Sequence, residues 1–259
     1  MQLSLRKNIV SPFSNKKLLV SGCSYTDNDW TERHGIPVWP ELLAEKLGME
    51  CINLGHHGMG NEYIFSSILD RIFEKDIGLV IAMWSEVERL DYQQKFDSDV
   101  FDWVNIHMHR SHSTKAPDGT KNMVRNIFNI FGIGGQISLL KKSIRLFYSF
   151  QTIMENLDIP YLQIMGPYPC DKLDFKKSSE EILMNIFGDK INEKTFLGWP
   201  IFPEIGGSTI DRVLDKIDPK RNKLRINYPT DSHPNSLGHK VICDYLYKEV
   251  EKKWQFTSY

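Results

Sequence analysis

No stretch of this sequence approaches the ~20 consecutive apolar residues of a membrane-spanning helix. Its opening segment, MQLSLRKNIVSPFSNKK, breaks every apolar run with charge or with Pro12. The apolar region of ~7–15 residues that marks a signal peptide is therefore missing, and the chain is expected in a reducing cytoplasm; release by cell lysis needs no such signal. An excess of one charge is lacking too: 32 Lys+Arg stand against 33 Asp+Glu, a formal net charge of -1. That balance argues against nucleic acid or a membrane surface as a partner held by bulk electrostatics. Cysteines number four (Cys23, Cys51, Cys170 and Cys243) and show neither CxxC pairing nor metal-ligand spacing. Cys51 and Cys243 fall inside apolar patterns, where a free thiol packs as a small hydrophobe. Repeats and low-complexity stretches are absent.

What the sequence does hold is an α/β alternation. At 259 residues and 41% hydrophobic it is long enough for one large core. Lys16–Gly22 reads as a short buried strand ending in glycine. Trp39–Leu47 carries apolar residues at helical spacing and stops at Gly48, a natural residue just past a helix end. Met49–Leu54 reads as a second strand and Leu79–Trp84 as a third. Between them Asn61–Lys75 reads as a helix with Ile64, Ile68, Leu69, Ile72 and Phe73 on one stripe. Near-continuous apolar strands alternating with helices imply a parallel sheet covered on both faces. Asp91–Gly135 breaks the rhythm; polar and rich in turn residues, it is expected to form an insertion or lid. Ile137–Leu157 resumes as an amphipathic helix and Tyr161–Met165 as a fourth strand. From Tyr168 to about Tyr228 the pattern is irregular again, apart from a helix near Ser179–Phe187, and a helix from Ser236 to about Lys253 closes the chain. The predicted class is α/β: a three-layer α/β/α sandwich with a mainly parallel, flavodoxin-like central sheet, one domain over 1–259, with irregular insertions at about 91–135 and 168–228. Ligands of such sheets bind outside the carboxyl ends of the strands.

Three of those strand ends carry suggestive residues. Gly22-Cys23-Ser24 follows the first strand. A serine behind a glycine on a tight turn exposes its hydroxyl and frees its amide, although it serves equally as a plain helix cap. Gly55-His56-His57-Gly58-Met59-Gly60-Asn61 joins the second strand to the second helix. Such a turn presents amides to an anion, with a spacing that is not the dinucleotide fingerprint. Asp231-Ser232-His233-Pro234 stands ahead of the last helix, where a carboxylate two positions before an imidazole can hold its tautomer.

Together these blocks resemble the SGNH (GDSL-like) hydrolase superfamily, over roughly residues 16–90, 137–166 and 228–253. Gly22-Cys23-Ser24 resembles that family's Gly-Asp-Ser block, with Cys23 in place of the aspartate. Gly58 falls where the family places its oxyanion glycine, and Asp231, His233, Pro234, Asn235 and Gly238 resemble its closing block. The resemblance implies Ser24 as nucleophile, His233 as base and Asp231 as its orienting carboxylate, with the amides of Ser24 and Gly58 in the oxyanion hole. Where the family has Gly-x-Asn-Asp this chain has Met83-Trp84-Ser85-Glu86, which leaves Ser85 or Asn61 as the substitute donor. Consecutive side chains at a strand end point opposite ways, so one of Cys23 and Ser24 faces His233; the likeness selects Ser24. The implied activity is hydrolysis of a small acyl ester, such as an acetyl group, on a small molecule or carbohydrate, with no metal and no organic cofactor. The alternatives are an acyltransferase with the same triad and a non-catalytic glycan- or partner-binding module.

Other residues invite separate readings. His56, His57, His107, His109 and His112 suggest a metal site, but no Cys or carboxylate completes a set at recognisable spacing. They read as solvated or cleft-lining loop residues. Glu86 and Arg89 either grip a substrate or pair across one helical turn. Tyr92, Phe101, Trp103, Trp199 and Phe202 lie in the irregular stretches and read either as sugar-stacking platforms or, the expected case, as anchors that pack loops onto the body.

Overall fold

A computed structural model of the protein describes residues 9–97, 100–108, 120–132, 135–170, 183–254 and 257–258. In chain order its strands are β1 (Ile9–Val10), β2 (Lys17–Gly22), β3 (Glu50–Asn53), β4 (Ile77–Trp84), β5 (Arg89–Asp97), β6 (Val100–His107), β7 (Tyr161–Met165), β8 (Phe196–Leu197), β9 (Arg225–Asn227), β10 (Asp231–Pro234) and β11 (Thr257–Ser258). The helices are α1 (Asp29–His34), α2 (Trp39–Leu47), α3 (Asn61–Leu69), α4 (Thr120–Ile130), α5 (Gln136–Asn156), α6 (Ile210–Ile217) and α7 (Ser236–Trp254).

Five strands form one sheet in the order β3-β2-β4-β7-β8, every pair parallel. Numbered among themselves these strands run 2-1-3-4-5, the flavodoxin-like order. Its winding reverses between β2 and β4, and the crevice beyond their carboxyl ends is the natural ligand position.

Alternation along the strands divides the apolar residues between two faces. Leu19, Val80, Ala82 and Trp84 pack against Ile64 and Ile68 of α3 and against Leu140, Ile144, Phe147, Phe150 and Met154 of α5. Leu18, Val20, Leu79, Ile81 and Met83 pack on the other side against Trp39, Leu43 and Leu47 of α2, Ile210 and Leu214 of α6, and Ile242, Leu246 and Val250 of α7. Burying both faces is what a parallel sheet requires. The three layers are those the sequence predicts. Gly48 ends α2 in the left-handed region, at φ 69°.

Several elements differ from expectation. α3 stops at Leu69 because Arg71 N–H bonds Ile68 O and Glu74 N–H bonds Arg71 O, both at 3.0 Å. These tightened turns reverse the chain into β4, burying Ile72 while leaving Phe73 exposed. The first insertion carries regular structure: β5 and β6 form an antiparallel hairpin, in register from Arg89↔His107 to Lys95↔Phe101. Its alternation was hidden by polar residues on a face that a two-stranded ribbon leaves in water. The second stretch supplies β8, the edge strand of the main sheet, and the unpredicted α6. Trp199, Ile201 and Phe202 just beyond β8 are core residues, so the two aromatics here do anchor the loop. The helix expected near Ser179–Phe187 is a π-helical turn over Leu183–Phe187, its earlier residues lying outside the described ones.

Candidate active site

The turn that carries Ser24 is shaped by what surrounds Gly22. A Cβ on Gly22 would meet Thr26 Oγ1 at 2.2 Å and the Met83 carbonyl at 3.2 Å, so the chain leaves β2 through a gap that fits glycine alone. Thr26 N–H closes the turn on Cys23 O at 2.8 Å. Cys23 faces the core beside Leu18 and Val20 and is fully buried. Ser24 faces the other way, and its Oγ lies 2.8 Å from His233 Nε2. Trp30 of α1 roofs the turn: its indole N–H donates to Ser24 O at 2.6 Å, and its ring centroid stands 5.2 Å from that of His233.

His233 and Asp231 share the short strand β10. Asp231 Oδ1 accepts from the His233 amide at 2.9 Å and lies 2.7 Å from His233 Nδ1. An ionised carboxylate only accepts, so Nδ1 carries the proton and Nε2 is left to accept from the Ser24 hydroxyl. Three side chains thus form one hydrogen-bonded line. The strand is braced from below by Arg225, whose side chain is almost wholly buried and ion-paired to Asp211 at 2.8 Å and to Asp215 at 3.1 Å. Arg225 also donates to Ser232 O at 3.0 Å and to Tyr25 Oη at 3.1 Å. Burial, and then the charge of Asp211, push the Tyr25 phenol well above its ordinary range, so it stays protonated and donates to Asp211 Oδ1 at 2.6 Å. Behind the strand, Asn235 Oδ1 accepts the amides of Leu237 and Gly238, both at 3.0 Å, and caps α7. His239, one turn into α7, is fully buried, and its Nδ1 accepts from the Trp39 amide at 3.3 Å. Burial and, secondarily, neighbouring His233 lower its pKa to about 4, which keeps it neutral.

On the turn after β3, Gly58 takes φ 80°, a conformation that favours glycine. Among the described residues neither its amide nor that of Ser24 meets a protein acceptor. The turn is clamped from the hairpin. Arg89 Nη1 donates to Met59 O at 2.9 Å, while Asp91 accepts from the amides of Gly60 at 2.8 Å and Tyr63 at 3.1 Å. Asn61 and Ser85 meet each other rather than the cleft. Asn61 Oδ1 accepts the Ser85 amide at 2.8 Å, and its Nδ2 donates to Ser143 Oγ at 3.0 Å; both residues are buried. The Asn61 amide is spent on the Ser85 main chain, and the Ser85 hydroxyl is sealed in the core. The substitute donor expected at one of these two positions is thus displaced by their mutual hydrogen bonding.

The remaining sequence candidates also find places. Glu86 and Arg89 pair at 2.6 Å with both side chains largely buried, which is the pairing reading. His107 is buried, 3.5 Å from Glu86 and 4.0 Å from Glu88, rather than solvated. Trp103 on β6 meets Tyr63 edge to face, 5.8 Å between centroids. Tyr92 packs partly buried against Ile106, Met108 and Leu139. The Phe101 side chain, His109 and His112 lie outside the described residues. His56 and His57, by contrast, meet a carboxylate that no spacing rule points to: Asp27, three residues past Ser24, lies 3.0 Å from His57 Nδ1. Arg225, Trp30 and Asp91 also went unforeseen, because each acts on residues distant in sequence and stands in no local pattern.

Strand order, the serine after the first sheet strand and the Asp-x-His before the last helix together match the order of blocks in one family. The resemblance is to the SGNH (GDSL-like) hydrolases. Among solved structures, the chain is similar to a lipolytic protein of the G-D-S-L family from Desulfitobacterium hafniense DCB-2, with 15% identity, 91% of this chain and 99% of that one covered, and a TM-score of 0.48. It is similar also to a catalytic mutant of an acetylxylan esterase from Geobacillus stearothermophilus, at 13% identity, 93% and 96% coverage and a TM-score of 0.49. A third is an alpha/beta hydrolase from the metagenome of Lake Arreo, Spain, at 12% identity, 92% and 95% coverage and a TM-score of 0.46. No protein-family model and no curated protein matches the sequence. Among the described residues, no helix is long and apolar enough to cross a membrane.

Proposed function

We propose that the protein is a serine esterase that removes a small acyl group, such as acetyl, from an alcohol or carbohydrate. The observation that carries this reading is the continuous line from Asp231 Oδ1 through the His233 ring to Ser24 Oγ, with contacts of 2.7 and 2.8 Å. On this reading Ser24 attacks the ester carbonyl while His233 Nε2 takes its proton, and Asp231 stabilises the imidazolium that results. The amides of Ser24 and Gly58 receive the tetrahedral oxyanion. His233 then returns the proton to the leaving alcohol, and water, activated by the same imidazole, releases the acid and frees Ser24. With Asn61 and Ser85 turned inward, the hole rests on main-chain donors. Loss of one side-chain donor costs about 10²–10³ in rate, so turnover is expected to be slow relative to esterases that keep it.

A carbohydrate substrate is supported by the rings beside His233 and beside the turn that carries Gly58. Trp30 borders His233, and a chain of contacts runs from His56 to Tyr63 to Trp103 with centroids 6.0 and 5.8 Å apart. Flat rings of this kind offer an apolar face to a sugar and keep a polar edge. The test is release of p-nitrophenol from p-nitrophenyl acetate and of acetate from acetylated xylo-oligosaccharides, by wild type, Ser24→Ala and His233→Ala. A covalent adduct of a fluorophosphonate on Ser24, located by mass spectrometry, is the expected companion result. Equal rates in all three proteins, with no adduct at Ser24, refute the esterase.

A further inference from the structure

We propose that Asp27, His56 and His57 form a binding site for a divalent transition-metal ion of the zinc class, bridging the nucleophile turn and the oxyanion turn. One donor atom from each of the three lies within 4.8 Å of the others. None is used by the proposed chemistry of Ser24, His233 and Asp231. Two imidazoles and one carboxylate are the donor set that borderline ions such as Zn²⁺ accept, whereas magnesium and calcium prefer oxygen cages.

The geometry is prepared before any ion arrives. Asp27 is 5% exposed, and its carboxylate is fixed on both oxygens: Oδ1 by the Asp29 amide at 3.0 Å and Oδ2 by the His57 amide at 2.7 Å. Those bonds orient the ligand, as partners behind a metal site commonly do. His57 Nδ1 stands 3.0 Å from Asp27 Oδ2, about the separation of two donors sharing an ion with bonds of about 2.0–2.2 Å. Asp29 Oδ2, at 3.6 Å from the same nitrogen, is within reach as a further oxygen ligand. The His56 and His57 rings lie 4.8 Å apart, centroid to centroid, and face one another at a tilt. The His57 side chain is 59% exposed, so an ion enters from solvent and keeps water in its open positions.

The backbone on either side is already in contact. His56 N–H bonds Gly22 O at 3.0 Å, and a Cβ on Gly55 would meet the Thr26 carbonyl carbon at 2.6 Å. An ion here closes a three-residue clasp over two touching turns, at the residue immediately before Gly58. Its binding therefore stiffens the loop that aims the Gly58 amide, whatever substrate the cleft receives.

The test is calorimetric titration of tag-free protein with Zn²⁺, and with Co²⁺ for its visible absorption, on wild type, Ser24→Ala, His56→Ala, His57→Ala and His34→Ala. Saturable one-to-one binding is expected in wild type, Ser24→Ala and His34→Ala, with Co²⁺ bands typical of nitrogen and oxygen ligands. His56→Ala and His57→Ala are expected to weaken it by about tenfold or more, since loss even of a residue behind a metal ligand costs ~10–100-fold. The exposure of His57 makes its variant safe to fold, and thermal unfolding without metal checks each protein. No saturable binding in wild type, or affinity unchanged in both folded histidine variants, overturns the site. Because Ser24→Ala is included and binding is read directly, neither result depends on esterase activity.

Discussion

Replacing His239 with glutamine tests the energetics of the ground beneath His233. His239 is buried in α7 with its pKa lowered to about 4 from an ordinary 6.5, chiefly by burial and secondarily by His233. The unfolded chain therefore takes up a proton below about pH 6.5 that the folded protein refuses until about pH 4. Protons bound by the unfolded state make stability fall as pH falls, by about 1.4 kcal/mol per unit across this window and about 3 kcal/mol over its whole width. Above the window the contribution is complete and flat. Glutamine keeps an oxygen that can accept the Trp39 amide and does not titrate. Urea unfolding of both proteins, at about pH 7 and about pH 4.5, reads the effect as a double difference, which removes every other titrating group common to the two. The wild type is expected to lose about 2.4 kcal/mol more than His239→Gln between those conditions, the window being cut short at pH 4.5. Parallel losses would mean that residue 239 binds protons alike in both states, and the reasoning would fail.

Further outcomes follow from individual contacts. Gly22→Ala drives a methyl to within 2.2 Å of Thr26 Oγ1 and shifts the turn that carries Ser24; a displacement of about 1 Å lowers fluorophosphonate labelling at Ser24 by about 10²-fold. Asp231→Asn keeps the shape but leaves His233 in the wrong tautomer, so p-nitrophenyl acetate hydrolysis falls by about 10⁴-fold at unchanged thermal stability, the size of loss that such a change causes in serine proteases. Arg225→Met takes the buried cation from Asp211, while Asp215 keeps Arg221 at 2.6 Å, and destabilises by about 3–5 kcal/mol in urea unfolding. Phe147→Ala empties the space among Trp84, Phe196 and α5 and costs about 3–5 kcal/mol in the same assay.

The sheet and its flanking helices were legible because their signals are local. Leu18–Val20 and Leu79–Trp84 are apolar runs, and Gly48 stops a helix wherever a helix of that pattern stands. The three triad candidates were legible because each lies at a strand end and two of them are nearly adjacent. What stayed hidden depends on pairing at a distance. β8 is two residues long and is a strand only because β7 lies beside it. Asp27 meets His57 across 30 residues of sequence, and Arg225 meets Tyr25 across 200. Asn61 shows the same dependence: its residue type fits an oxyanion donor, and only the packing of α3 against β4 turns it toward Ser85.

The hairpin over Arg89–His107 stands apart from the central sheet, yet two of its side chains hold the main chain of residues 59, 60 and 63. The loop that carries Gly58 is thus tied to this ribbon as well as to β2, where His56 N–H bonds Gly22 O at 3.0 Å. Tilting that ribbon, by a glycan laid along it or by another protein gripping it, carries Met59, Gly60 and Tyr63 along through three hydrogen bonds. A chain trimmed of the ribbon would keep the Ser24–His233 contact and lose the bonds that steady the turn after β3.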